Sequence, residues 1–137
     1  MHTLQTRNAV KTMFLVTLIA LTLACGYSSK TTPPVAGTVP TISQLNPDNV
    51  TAGGTAFMLT VNGSNFGAKA VVNWNGAAQT TTYVSAGQLT VAVPASLIAA
   101  SGNVSVTVTN PGTPGTGMYG SGGTLPETSS AMTFTIN

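Results

Sequence analysis

The chain has 137 residues, four Lys/Arg against two Asp/Glu, a formal net charge of +2 and 4% charged residues, where soluble domains average about 25%. Two carboxylates cannot build a Ca²⁺ cage of about six to eight oxygens, and one His with one Cys cannot close a zinc site. Four scattered basic residues cannot neutralise the roughly six to ten phosphates of a DNA-binding face, so neither a metal, a cofactor nor a nucleic-acid partner is expected.

Residues 1–24 read as an export signal. His2, Arg7 and Lys11 form a polar, basic start, and Met13 to Ala24 is a twelve-residue stretch without charge. That length suits a signal h-region and falls short of the ~20 apolar residues that span a bilayer. Leu21-Thr22-Leu23-Ala24-Cys25 follows and resembles the lipoprotein box of bacterial envelope proteins, in a permissive form. That resemblance implies a thiol alkylated with diacylglycerol at Cys25, cleavage before it, and acylation of the new amino group. The membrane is then a partner through the N-terminal lipid. The protein is exported and anchored to the cell envelope, at the outer membrane if the host is Gram-negative. Plain secretion with cleavage near Ala24 is the alternative. A lone Cys in an exported chain has no disulfide partner, which fits the lipidated reading. Residues 25–40 (from CGYSSKTTPP onward) carry no periodicity and read as a flexible Ser/Thr/Pro tether.

From Thr41 to Asn137 the pattern is that of strands. Thr41 to Leu45 is closed by Asn46-Pro47-Asp48, a turn tripeptide. Thr55 to Asn62 puts Phe57, Leu59 and Val61 on one side, and Lys69 to Asn75 does so with Val72 and Trp74. Asn75-Gly76 suits a tight hairpin. Thr80 to Val84 and Gln88 to Val93 follow, the second aligning Leu89, Val91 and Val93. Pro94 to Ala100 is read as one helical turn. Asn103 to Thr109 aligns Val104, Val106 and Val108, and Ala131 to Ile136 aligns Met132, Phe134 and Ile136. Period-two runs rich in Val, Ile, Thr and aromatics are strand signals. About seven of them in one domain predict an all-β, immunoglobulin-like antiparallel β-sandwich. Trp74, Phe57 and Phe134 must supply core bulk without an inter-sheet disulfide. Phe66, Trp74 and Tyr83 are expected as core or turn-packing residues.

Five segments together are similar to the IPT/TIG family. They are Pro40 to Pro47 (PTISQLNP), Ala52-Gly53-Gly54, Leu59 to Phe66 (LTVNGSNF), Val71 to Gly76 (VVNWNG) and Val104 to Pro111 (VSVTVTNP). The resemblance spans about Val39 to Asn137. It implies an immunoglobulin-like sandwich of the kind used in surface receptors, transcription factors and bacterial surface proteins as a spacer or binding module. The transcription-factor members grip DNA with basic loops, and this chain has none. A fold with so many roles does not by itself transmit one.

Asn110 to Ser130 forms a long connection before the last strand, with six glycines, three prolines, Met118, Tyr119 and Glu127. Loops this long are uncommon unless functional or disordered. One reading is a recognition loop with Tyr119 at its tip, since Tyr contributes contact area at small entropic cost; the other is a floppy insertion. Met118, Tyr119 and Glu127 are its candidate binding residues. No catalytic residue is expected. The segment after cleavage has no His, and Lys30 and Lys69 face Asp48 and Glu127 for a side-chain charge of zero, so acid–base and nucleophilic chemistry lack their bases. The expected function is a non-catalytic, lipid-anchored envelope domain serving as spacer or interaction module. The alternative is an adhesin domain that binds a surface glycan or protein through the 110–130 loop.

Overall fold

The computed structural model describes residues 32–116 and 122–137. The expected signal 1–24 and Cys25 lie outside the described residues, as do Met118 and Tyr119. The strands in chain order are β1 (Thr41–Asn46), β2 (Asn49–Val50), β3 (Phe57–Ser64), β4 (Val71–Trp74), β5 (Ala77–Ala78), β6 (Thr81–Ser85), β7 (Gln88–Val93), β8 (Gly102–Asn110), β9 (Glu127–Thr128) and β10 (Met132–Ile136). A 3₁₀ turn at Ala95–Ile98 follows Pro94 and buries Ile98, where one helical turn is expected.

One sheet has the order β1-β3-β7-β6; the other has β2-β10-β8-β4-β5, with β9 also on β8. The seven expected strands are all present. Three more have two residues each, too few to show any alternation. One pairing departs from a wholly antiparallel arrangement: β2 runs parallel to β10, with Thr135 opposite Asn49 and Ile136 opposite Val50. Between β4 and β5 the hairpin turns on Asn75 (φ 49°) and Gly76 (φ 84°). Two consecutive positive φ values match the twist of the flanking strands, and Asn-Gly tolerates them best.

Because side chains alternate across a strand, each period-two run delivers one apolar face to the space between the sheets. Leu59 and Val61 of β3, Leu89, Val91 and Val93 of β7, Val72 and Trp74 of β4, Val106 and Val108 of β8, and Phe134 and Ile136 of β10 are buried there. Aromatic rings tie the two layers. The Phe134 ring centroid lies 5.7 Å from that of Phe57 in the opposite sheet, nearly parallel to it at 14°. It lies 5.0 Å from Trp74 at a 54° tilt. Such pairs add ~0.5–1.5 kcal/mol beyond area burial.

The outer faces carry hydroxyls and amides in place of ions. Asn73 Nδ2 donates to Thr107 Oγ1 (3.3 Å) and Thr109 Oγ1 (3.0 Å), and Gln88 Nε2 donates to Asn62 Oδ1 (3.2 Å). Hydroxyl pairs link Thr41 to Ser64 at 2.6 Å and Thr109 to Thr128 at 2.8 Å. Cross-strand polar pairs of this kind contribute roughly 0.2–1 kcal/mol each.

One expected core residue is not in the core. Tyr83 is 40% exposed, whereas Phe66 and Trp74 are buried. Tyr83 belongs to the edge strand β6, which has a neighbour on one side only, and a register shift follows it between Tyr83 and Ser85.

Phe134→Ala removes the ring that joins both layers and is expected to cost about 3–5 kcal/mol, whereas Val84→Ala at an exposed site changes stability by less than about 1 kcal/mol. Urea unfolding followed by the fluorescence of the single tryptophan, Trp74, measures both.

Candidate functional site

β8 ends at Asn110, whose side chain is buried. A buried carboxamide must find partners for its donors and acceptor. Asn110 Oδ1 accepts from the Gly67 amide at 2.8 Å. Its Nδ2 donates to the Thr38 carbonyl and to the Asn65 carbonyl, each at 2.8 Å. One side chain thus holds three pieces of backbone: the segment before β1, the β3–β4 turn and the end of β8. The β3–β4 turn needs such help, because Asn65 sits at φ 60° and its neighbour Phe66 must be aimed into the core, where it is 3% exposed.

Beyond Asn110 the long connection is organised at its base. The Thr113 amide donates to Thr124 Oγ1 at 2.9 Å, the two hydroxyls lie 2.9 Å apart, and the Thr124 amide donates to the Thr113 carbonyl at 3.0 Å. Gly112 and Gly123 flank this clasp. A Cβ on Gly112 would run into the Thr124 carbonyl and one on Gly123 into that of Thr113, so the limbs approach more closely than side chains allow. The segment before β1 closes the same arrangement: the Val35 amide donates to the Gly123 carbonyl at 2.9 Å and the Leu125 amide to the Val35 carbonyl at 3.0 Å. Residues expected at the end of the tether are therefore hydrogen-bonded to the sandwich from Val35 onward.

The returning limb runs along β8 as β9 and then β10. Thr128 faces Thr109, and Met132 faces Val106, so three residues of the returning limb oppose two of β8. That is a β-bulge. Ser129 fills it: its amide donates to the Val108 carbonyl at 2.8 Å, and its Oγ accepts from the Val108 amide at 3.0 Å.

Between the clasp and the β3–β4 turn lies an open cleft of about 590 Å³. Its walls include Phe66, Pro111 and Pro114, and its polar groups come from Thr38, Thr113, Thr124, Asn65, Asn110 and Lys69. Among the described residues no carboxylate or histidine lines it. The described lining gives the cleft hydroxyls, carbonyls and one ammonium with which to hold a ligand.

Of the residues singled out in the sequence, Glu127 is in β9, half-buried and opposite Asn110. Met118 and Tyr119 lie outside the described residues, between the two limbs that the clasp joins. Asp48 is far from Glu127. The Asp48 carbonyl accepts from the Thr135 amide at 3.2 Å, and Thr135 faces Asn103 near the start of β8. Glu127 faces Asn110 at its end. Seven residues of strand at about 3.3 Å each separate the two levels by roughly 23 Å, well beyond the ~10 Å within which two carboxylates share one glycosidic bond. Among the described residues no group of three or more His, Cys, Asp and Glu could hold a metal, and no helix is long and apolar enough to cross a membrane. Asn110, Thr113 and Thr124 were not legible as a unit. An Asn-Pro pair at a strand end reads as a loop start, and only the fold shows that the two threonines, eleven residues apart, meet.

A family model described as the IPT/TIG domain matches residues 40–126, more than half of the chain. The match starts at Pro40, beside the Asn110 contact to Thr38, and stops one residue before β9. No curated protein and no solved structure matches the chain.

Asn110→Ala leaves the Gly67 amide and two carbonyls without their partner and is expected to cost about 2–3 kcal/mol. Urea unfolding gives the loss, and hydrogen exchange shows where it falls: the Gly67 amide should exchange faster in the variant while Val91 in β7 keeps its protection relative to global stability.

Proposed function

The chain belongs to the IPT/TIG family, and on that premise we propose that it is a non-catalytic module of the cell envelope, held to the membrane by a lipid on Cys25 and acting as a spacer or interaction domain. Immunoglobulin-like members of this family serve in such roles. The anchoring half of the reading is supported by the basic start, the twelve-residue apolar run and the Leu21-to-Cys25 box. More than one acyl chain gives stable attachment where a single chain is marginal.

The observation that carries the interaction half is the clasped loop base. The Thr113–Thr124 clasp fixes both ends of the segment that holds Met118 and Tyr119, and a fixed base lowers the entropy lost when a loop engages a partner. The same clasp walls the 590 Å³ cleft. These features favour the recognition-loop reading over a floppy insertion, with a surface glycan or protein as the ligand class. Among the described residues Lys69 is the one charged group in the cleft lining, so hydrogen bonds and ring contacts would dominate recognition.

Two outcomes test the proposal. With an alkyne-bearing fatty acid in the growth medium, the wild-type chain takes up label and sediments with membranes, and Cys25→Ser does neither; label absent from both removes the lipid anchor. In glycan-array and pull-down screens, Tyr119→Ala and removal of residues 114–123 each lower the captured signal about tenfold. A ligand that survives both changes removes the loop from the site.

A further inference from the structure

An asparagine followed by glycine is open to attack on its own side chain, because glycine has no Cβ to hinder its amide nitrogen. The described residues hold two such pairs, Asn62-Gly63 and Asn75-Gly76. Every other described asparagine with a residue after it precedes Pro, which has no N–H, or Val, Phe or Trp, whose side chains crowd the nitrogen. The fold treats the two Asn-Gly pairs in opposite ways. Asn62-Gly63 lies within β3, between β1 and β7. The Gly63 amide donates to the Gly87 carbonyl at 2.9 Å, and Asn62 Oδ1 accepts from Gln88 Nε2 at 3.2 Å. A Cβ on Gly63 would run into the Thr41 carbonyl and the Phe66 ring. Asn75-Gly76 is the tip of the β4–β5 hairpin, and both residues are exposed. The Asn75 amide is held by the Ser105 carbonyl at 2.8 Å. Among the described residues the Asn75 carboxamide and the Gly76 amide have no hydrogen-bond partner. A Cβ placed on Gly76 would meet nothing within 4 Å beyond its chain neighbours. β5 has two residues, so opening the tip disturbs little of the sheet.

We propose that Asn75 is a site of spontaneous modification, at which intramolecular deamidation places a carboxylate on the hairpin. The Gly76 nitrogen bonds to Asn75 Cγ, and its proton leaves with the carboxamide nitrogen as ammonia, closing a succinimide ring. Water then opens the ring at one of its two carbonyls. Breaking the bond from Cγ to nitrogen gives an ordinary aspartate. Breaking the other C–N bond leaves the main chain running through Cγ, an isoaspartate with one more backbone carbon. Either way one water enters and one ammonia leaves. The aspartate suits the same turn, since Asp-Gly also accepts positive φ at both positions. The isoaspartate lengthens the loop and loosens Ala77 and Ala78 from β4; both are exposed, so the core stays shut. Both products put charge where the chain has none, because residues 71–110 hold no Lys, Arg, His, Asp or Glu. Among the described residues Lys69 then stands against three carboxylates in place of Asp48 and Glu127 alone.

The test follows the purified full-length chain through storage in mildly alkaline buffer, which favours loss of the amide proton, with and without urea. Peptide mapping by mass spectrometry reads each pair, and an isoaspartate-specific methyltransferase labels the rearranged product. The folded chain is expected to gain about one dalton at Asn75, with isoaspartate label in the same peptide. Conversion at Asn62 is expected to be at least about fivefold slower, since that pair reacts only after β3 opens. In urea the two pairs convert at similar rates. Asn75→Gly, whose Gly-Gly pair also fits the turn, removes the gain from the hairpin peptide. No gain at Asn75 in the folded chain, equal gain at Asn62 while folded, a contrast that persists in urea, or a gain retained in Asn75→Gly each overturn the proposal.

Discussion

The carboxamide of Asn110 is the constraint on which one end of this molecule depends. Sheets satisfy their own backbone, but at the pole where β3 turns into β4 and β8 runs into the long connection the ladders stop. Each backbone group that leaves a ladder and stays out of water needs another partner. Asn110 meets three such needs at once, from Gly67, Thr38 and Asn65. Phe66 can then close the core and the segment before β1 can be held. Ser129 does the equivalent work at the bulge. No described buried side-chain nitrogen or oxygen lacks a partner. In a chain with 4% charged residues, amides and hydroxyls perform the pinning that ion pairs share in other domains.

How much could be read from residues alone follows from how far apart the causes lie. The seven longer strands were legible because alternation is local, and the Asn75–Gly76 hairpin because its φ requirement belongs to two adjacent residues. The aromatic cluster was legible as bulk, although its pairing across layers was not. β2, β5 and β9 were not legible: two residues have no period, and partners elsewhere define them. Tyr83 shows the limit most clearly. Its place in an alternating run predicts burial, but the sequence does not state that β6 is an edge. The clasp was hidden for a similar reason, since Thr113 and Thr124 resemble the many other threonines. Cys25, Met118 and Tyr119 rest on sequence reasoning alone.

The outer faces suit a role in which little is asked of long-range electrostatics. Thr, Ser, Asn and Gln bond to one another across strands, so much of the polar surface is already engaged. Such a surface offers few strong sites, and the cleft beside the clasped loop, at the pole held by Asn110, stands out against it.

The placement of the two ends of the sandwich, at Thr32 and Asn137, has a mechanical consequence. The segment before β1 is held at the Asn110 pole through Thr38 and Val35. β10 runs away from that pole, from Met132 opposite Val106 to Ile136 opposite Gly102. β1 also runs away from it, starting opposite Ser64. A pull applied between Thr32 and Asn137 therefore draws β1 and β10 along their neighbours in opposite directions. The ladder bonds are then loaded together in shear and do not peel one at a time. The bonds from Val35 and Thr38 come under load first. Their rupture would free a few residues before β1 while leaving the core shut, so the pole that shapes the cleft would also serve as the domain's mechanical fuse.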